Sequence, residues 1–335
     1  MASSSTLDTG MVSNTTSGFL GVEVESGSSD LALVILAVFL AMLVTCLNLT
    51  LNSLMLLALR RVTSLDHTTK IFMASLTLSD LCTGLCSILR LPEIVSGAWM
   101  LGDFVCAARD ALQYFFQTLS IFSLCLLTID RYIAITRPLQ YPTIMTVFRS
   151  KVIVCLTWTF STVWGILVYG VFDRSVVVMN GLTLCVWQSS NWRVYLSVVF
   201  LLLVLFTIFG LYVHISIIAR RHARRIAAEN QAGNGAFGHR IPHQMSFRLA
   251  TTVIIITGTL VVTWLPSIVR ISIQTSQEGA VTYNSFLIGT LTDILFLSNC
   301  WLNVVIYYLR NRDLRQALHN LISSWKCKLC CKCLP

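Results

Sequence analysis

Apolar residues in this chain fall in long unbroken blocks, not in the alternation of a half-buried strand or the narrow stripe of a surface helix. Segments 31–59, 111–129, 152–172, 194–219 and 249–269 contain no Asp, Glu, Lys or Arg. Segments 71–89 and 280–309 contain one acid each, Asp80 and Asp293. Crossing a hydrocarbon core of about 30 Å takes roughly 20 apolar residues in a helix. The blocks therefore predict an all-α membrane protein, a seven-transmembrane helix bundle over 31–309. A polar tail, 1–30, rich in Ser, Thr and Gly, precedes it and is expected to be disordered. In the closing segment, 310–335, Leu314, Ala317, Leu318, Leu321, Ile322 and Trp325 recur at helical spacing, with Arg312, Arg315 and Lys326 off that stripe. This predicts a short amphipathic eighth helix lying in the membrane interface.

Composition agrees. The 335 residues are 55% hydrophobic and 12% charged, with mean hydropathy +0.74, which leaves too little polar surface for a soluble domain. The net charge of +9 sets orientation and does not indicate a nucleic-acid partner. No basic residue precedes Arg60. With the N-terminus extracellular and the C-terminus cytoplasmic, the four inner segments hold three, four, six and six basic residues. That is nineteen of the 24, as the positive-inside bias requires. The expectation is a multi-pass protein of the cell membrane whose first span serves as its own insertion signal. Asn14, in Asn14-Thr15-Thr16, is then an exposed N-glycosylation acceptor.

The twelve cysteines sort by compartment. Cys46, Cys82, Cys86, Cys125, Cys155 and Cys300 fall within spans. Cys106, at the outer start of the third span, and Cys185, between the fourth and fifth, both lie on the oxidising side, where a disulfide is expected. Cys327, Cys330, Cys331 and Cys333 follow the amphipathic helix, and three of them repeat every third residue as zinc ligands can. Palmitoylation is the preferred reading, because the helix delivers those thiols to the acyl chains.

Short motifs recur in order along the spans. Asp130-Arg131-Tyr132 closes the third block and is followed by Arg137-Pro138-Leu139. Asn52 lies in the first span, Asp80 in the second, Trp99 and Gly102 before Cys106, Trp158 in the fourth and Tyr212 in the fifth. Thr263-Trp264-Leu265-Pro266 marks the sixth, and Asn303-Val304-Val305-Ile306-Tyr307 the seventh. In order and spacing, from Leu31 to Trp325, the set resembles the rhodopsin-like (class A) G-protein-coupled receptors. The chain departs from that family's pattern at Val304 and Val204, where the family carries proline, and at Leu260, where Phe is common.

The resemblance implies the following. Asp80, Ser120, Asn299 and Asn303 would surround an allosteric sodium ion, or form a hydrogen-bond network without one; no other cofactor is expected. Asp130, Arg131, Tyr132, Tyr212, Trp264, Pro266 and Tyr307 would couple a ligand to a heterotrimeric G protein, with arrestin as a further partner. Because no acid occurs between Glu229 and Glu278, the position near Ser246 cannot hold Arg131, and ligand-free signalling is expected.

On the ligand side, Arg109, Gln113, Gln117 and Ser120 share one face of the third helix. Arg90 lies ten residues beyond Asp80 and Asp293 ten before Asn303, so an ion pair between them is expected at equal height. Trp264 would form the floor, with Arg270, Trp187 and Trp192 near the rim. The expected ligand is a small polar molecule or short peptide. An amine receptor is the alternative, but such receptors resemble this chain with Asp where Gln113 stands. The missing fifth-span proline also occurs among melanocortin, cannabinoid and lysophospholipid receptors, which lack the Cys106-type bridge. An enzyme is not expected, because the six histidines are scattered. A transporter, the less favoured alternative, would show repeated halves.

Overall fold

The computed structural model describes residues 28–96, 98–169, 174–179, 182–187, 191–232, 255, 258–273 and 283–329. Ten helices are described: α1 (Ser28–Arg61), α2 (His67–Ile88), α3 (Leu91–Ser96), α4 (Gly102–Thr136), α5 (Tyr141–Ile144), α6 (Val147–Tyr169), α7 (Asn191–Ala232), α8 (Gly258–Ile273), α9 (Tyr283–Arg310) and α10 (Arg312–Leu329). Among the described residues six helical segments are long and apolar enough to cross a membrane, and α8 is a shorter apolar helix that overlaps the sixth expected run and continues to Ile273. Large side chains such as Phe39, Leu156, Val163, Leu203 and Phe206 face outward. That belt is what a hydrocarbon solvent demands of a bundle surface. The two ends of the chain, with Asn14, Cys330, Cys331 and Cys333, and Ser246 between α7 and α8 lie outside the described residues, as do the side chains of Trp187, Trp325 and Cys327.

α4 occupies the middle of the bundle, packed against α2, α6 and α7, while α1 packs on α2, α9 and α10. The core joins Met55, Phe72, Leu76, Ile121, Leu124, Ile208, Leu260, Trp264 and Val304 from six of the spans. Polar side chains also join the helices. Trp158 on α6 donates its indole N–H to Ser75 Oγ on α2 at 3.2 Å, and Ser75 is 3.0 Å from Ser123 on α4. Asn48 Nδ2 on α1 reaches the Leu297 carbonyl of α9 at 3.3 Å, and Asn52 Nδ2 bonds the Asn48 carbonyl at 2.9 Å.

Local chemistry explains the breaks. Pro92 has no N–H to give the turn before it, and the chain tightens there. Leu89 and Arg90 donate to Cys86 and Ser87, three residues back, each at 3.2 Å. This turn ends α2 and starts α3. α4 stops at Arg137, whose successor Pro138 disfavours helical geometry in the residue before it, and α5 opens with Pro142 in its first turn. α7 and α9, which hold no proline, run unbroken.

Two features add to the sequence-based expectations. Residues Arg174–Met179 (β1) and Leu182–Trp187 (β2) form an antiparallel hairpin between α6 and α7, beyond the all-α bundle itself. The amphipathic stripe of α10 divides: Leu314, Leu318 and Leu321 are buried by the protein, and Ile322 is exposed. Asn311 Oδ1 caps α10 by accepting from the Asp313 and Leu314 amides at 3.0 and 3.1 Å, and Ser64 donates to Asp313 at 2.7 Å. The helix is thus docked on the bundle at its start.

Gly84 lets α1 and α2 approach, since a Cβ there would sit 3.1 Å from Asn48 Cβ and 3.3 Å from Leu49. Gly84→Val should destabilise the protein by about 1–3 kcal/mol through overpacking. A melting temperature of the purified variant equal to that of the parent would contradict this close approach.

Candidate functional site

The chemistry of the bundle gathers at its two ends and at one point between them. At the end marked by Arg131, Asp130 is fully buried and is the hub. Its Oδ2 accepts from Thr69 Oγ1 at 2.9 Å and from Arg131 Nε and Nη2 at 3.1 and 2.7 Å. Its Oδ1 accepts from the Tyr141 hydroxyl at 2.7 Å. Arg131 Nη2 also bonds Thr69 Oγ1. Thr68 Oγ1 lies 2.8 Å from the Tyr141 oxygen and acts as donor there, because the phenol hydrogen is given to Asp130. Burial, with the facing carboxylate adding to it, holds the Tyr141 phenol above its ordinary range, so it remains a donor. Arg131 itself is 43% exposed at its side chain. Tyr132 lies against His214, with ring centroids 5.5 Å apart. Tyr212 and Tyr307 pack on the core cluster.

Midway, Asp80 is fully buried. Ser120 donates to its Oδ1 at 2.6 Å and Asn303 Nδ2 to its Oδ2 at 3.1 Å. Asn299, one turn from Asn303, is buried, and its Oδ1 has no hydrogen-bond partner among the described residues. A buried carboxylate, the hydroxyl on it and an orphaned amide oxygen one turn along α9 from its Asn303 partner are oxygen groups of the kind a hard cation takes. The residues present therefore fit the sodium expectation. Trp264 is buried edge-on to Phe296, with centroids 4.3 Å apart, and its indole N–H lacks an acceptor among the described residues.

At the opposite end the Cys106–Cys185 disulfide is formed, with Cα atoms 5.7 Å apart. It ties β2 to α4. Trp99 N donates to the Thr183 carbonyl at 2.6 Å, and the Cys185 amide donates to buried Glu93 Oε1 at 2.9 Å. Arg109 pairs with Asp110, its guanidinium 5.2 Å from the Trp99 ring centroid and 3.8 Å from Cys185 Sγ. Arg109 thus supports the bridge from below. Beside this clamp, Asp293 on α9 takes Arg90 on Oδ2 and Arg270 Nη2 on Oδ1 at 2.9 Å. The Arg90–Asp293 pair expected from equal heights is present, and Arg270 joins it. Gln113 and Gln117 are half-buried on the Ser120 face of α4, and Pro266 is half-buried on α8. Trp192 is exposed, with Arg193 over its ring.

Sequence reasoning did not find Thr68, Thr69 and Tyr141 around Asp130, or Glu93 under the hairpin. The turn at Arg137-Pro138 was the one signal that the chain bends back beneath Asp130.

The family model described as 7 transmembrane receptor (rhodopsin family) matches residues 51–307. The chain belongs to the rhodopsin family of seven-transmembrane receptors. It is therefore a member of a family of G-protein-coupled signalling receptors, not of enzymes. Among curated relatives, the receptor is 27% identical over 296 residues to trace amine-associated receptor 13c of Danio rerio, covering 84% of this chain and 83% of the relative. It is 34% identical over 133 residues to octopamine receptor beta-1R of Drosophila melanogaster, covering 39% of this chain and 26% of that one. Melanocortin receptor 4 of Danio rerio is 32% identical over 209 residues, covering 62% of this chain and 57% of that receptor.

Tyr141→Phe removes one of the donors that hold Asp130. Losing a hydrogen bond to a charged acceptor costs about 1.5–3 kcal/mol, and without it Asp130 depends more on Arg131, so ligand-free G-protein activation should fall several-fold at matched surface expression. An unchanged basal signal would show that this contact does not help Asp130 to release Arg131.

Proposed function

We propose that this receptor takes a small polar molecule or short peptide between spans three, six and seven and activates a heterotrimeric G protein when α8 swings outward. The observation that carries the reading is the Asp130 hub. Arg131 holds it from the solvent edge, while Thr69 and Tyr141 can keep Asp130 satisfied after the guanidinium leaves. The agonist favours the arrangement with Arg131 released, a population shift between two packings of one bundle. The disulfide end faces outside, where oxidising conditions keep the bridge. The Arg131 end faces the cytoplasm, where arrestin is a further partner and Cys327, Cys330, Cys331 and Cys333 are acylated. Asn14 carries a glycan in this topology. Arg131→Ala should abolish agonist-stimulated nucleotide exchange in membranes supplied with purified G protein. Full exchange by that variant would refute the coupling role.

Asp80, Ser120, Asn299 and Asn303 would hold sodium, which supplies a positive charge that favours the closed packing. A ligand specific to the native state raises stability by mass action. Replacing potassium chloride with sodium chloride should therefore raise the melting temperature of the purified receptor and leave Asp80→Asn unmoved. An equal response of the two proteins would leave the hydrogen-bond network as the whole role of these residues.

An amine-type receptor is the second reading, favoured by the trace amine-associated and octopamine receptors among its relatives. Gln113, where such receptors resemble this chain with an acid, weighs against it. Octopamine and simple trace amines, applied to cells expressing the receptor, should give no response if the first reading holds.

A further inference from the structure

α4 carries one polar stripe at helical spacing, Arg109, Gln113, Gln117 and Ser120. Both ends of the stripe are committed. The Arg109 side chain is 6% exposed and faces Asp110, the Trp99 ring and Cys185 Sγ. Ser120 is buried and donates to Asp80 on α2, so the stripe looks into the bundle and not toward lipid. Between these ends Gln113 and Gln117 are half-buried, and neither amide has a hydrogen-bond partner among the described residues.

A third polar group stands uncommitted on α8. Trp264 is 6% exposed, and its indole N–H has no acceptor among the described residues. It belongs to the same core cluster as Ile121, which lies one turn from Gln117 on α4. A buried donor left without a partner costs about 1–3 kcal/mol, so this part of the bundle favours a ligand that supplies neutral hydrogen-bonding atoms.

We infer that the part of the ligand that meets α4 is uncharged and presents a carboxamide, peptide or lactam edge, whose N–H and C=O pair with the amides of Gln113 and Gln117. This rests on the receptor reading above and names the chemistry its ligand shows to the third span. A glutamine amide holds one acceptor and two donors, so it matches an edge that carries both. The two glutamines stand about 6 Å apart along the helix axis, within reach of one amide group or of successive peptide units. An ammonium would find no carboxylate on this part of α4, because Asp110 is 10% exposed and already pairs with Arg109. A carboxylate would use the glutamine donors and leave their acceptors unmet, and the one cation of the stripe is closed off. Burying either charge against neutral amides costs more than the hydrogen bonds return. An acceptor atom on the same ligand also satisfies the Trp264 indole.

The test uses the full chain in cells at matched surface expression, read by G-protein activation. The probes are primary and N-methyl carboxamides, with the carboxylates and amines of the same carbon skeletons. Amides should activate, and the carboxylate and amine of each skeleton should be about 10- to 100-fold weaker. Gln113→Leu and Gln117→Leu should each lose amide potency by a similar factor. Gln117→Glu should lose it too, since it keeps acceptors, gives up the donors and adds a charge. An amine or carboxylate that outranks its amide in the parent would overturn the inference and leave the receptor reading standing. So would amide potency unchanged in both leucine variants, or silence of every amide while Arg131→Ala lowers the basal signal. A chain silent with all probes, whose basal signal neither Arg131→Ala nor Tyr141→Phe moves, would overturn both.

Discussion

A carboxylate placed among apolar helices has no water to turn to, and the rest of this bundle follows from where its acids find donors. On insertion scales a charged side chain at mid-membrane costs about 2.5–3.5 kcal/mol, so each acid has to be met from another segment. Asp80 on α2 draws in Ser120 of α4 and Asn303 of α9. Asp130 on α4 draws in Thr69 of α2 and Tyr141 of α5. Asp293 on α9 draws in Arg90, beside α2, and Arg270 of α8. Three acids thus set the heights of four spans relative to one another. Sliding any of these helices by one turn, about 5.4 Å, would strip a buried carboxylate of its partners.

The same acids divide the molecule into parts that hold and parts that can change. Asp80 and Asp130 are sealed, and nothing on them can be exchanged without exposing a charge to the apolar interior. Arg131 is different. Its side chain is 43% exposed and reaches Asp130 from the solvent edge, and Asp130 keeps two neutral donors, Thr69 and Tyr141, when it leaves. Releasing a half-exposed cation from a satisfied anion is a low-cost step, which is what a switch with two nearly equal states requires.

How much of this could be read from the sequence depended on whether a contact needs one coordinate or two. The spans are one-dimensional facts, and uninterrupted apolar runs show them. The Arg90–Asp293 pair was legible because counting residues from Asp80 and from Asn303 gives both heights. Arg270 was not, since its height on α8 says nothing about which way it points around that helix. Tyr141 and Glu93 were hidden for another reason. Each approaches across a turn, at Pro138 and at Pro92, whose direction follows from three-dimensional packing and not from periodicity. The stripe of α10 was read correctly as apolar, but a stripe cannot say whether lipid or protein covers it, and Leu314, Leu318 and Leu321 are covered by protein.

The absent prolines bear on where such a bundle bends. Val204 and Val304 both pack in the core, and α7 and α9 keep unbroken backbone ladders past them. A helix that retains its hydrogen bonds resists kinking, since sharp kinks need a proline, a bulge or an inserted group. α8 holds Pro266, which leaves the Val262 carbonyl without its intrahelical donor. That weak point lies between the Ser267–Thr292 and Trp264–Phe296 contacts. Movement of the Arg270 end of α8 would therefore be taken up within α8 itself, about one turn away, and not distributed to its neighbours. A stiff α7 and α9 then serve as the frame against which a single jointed helix moves.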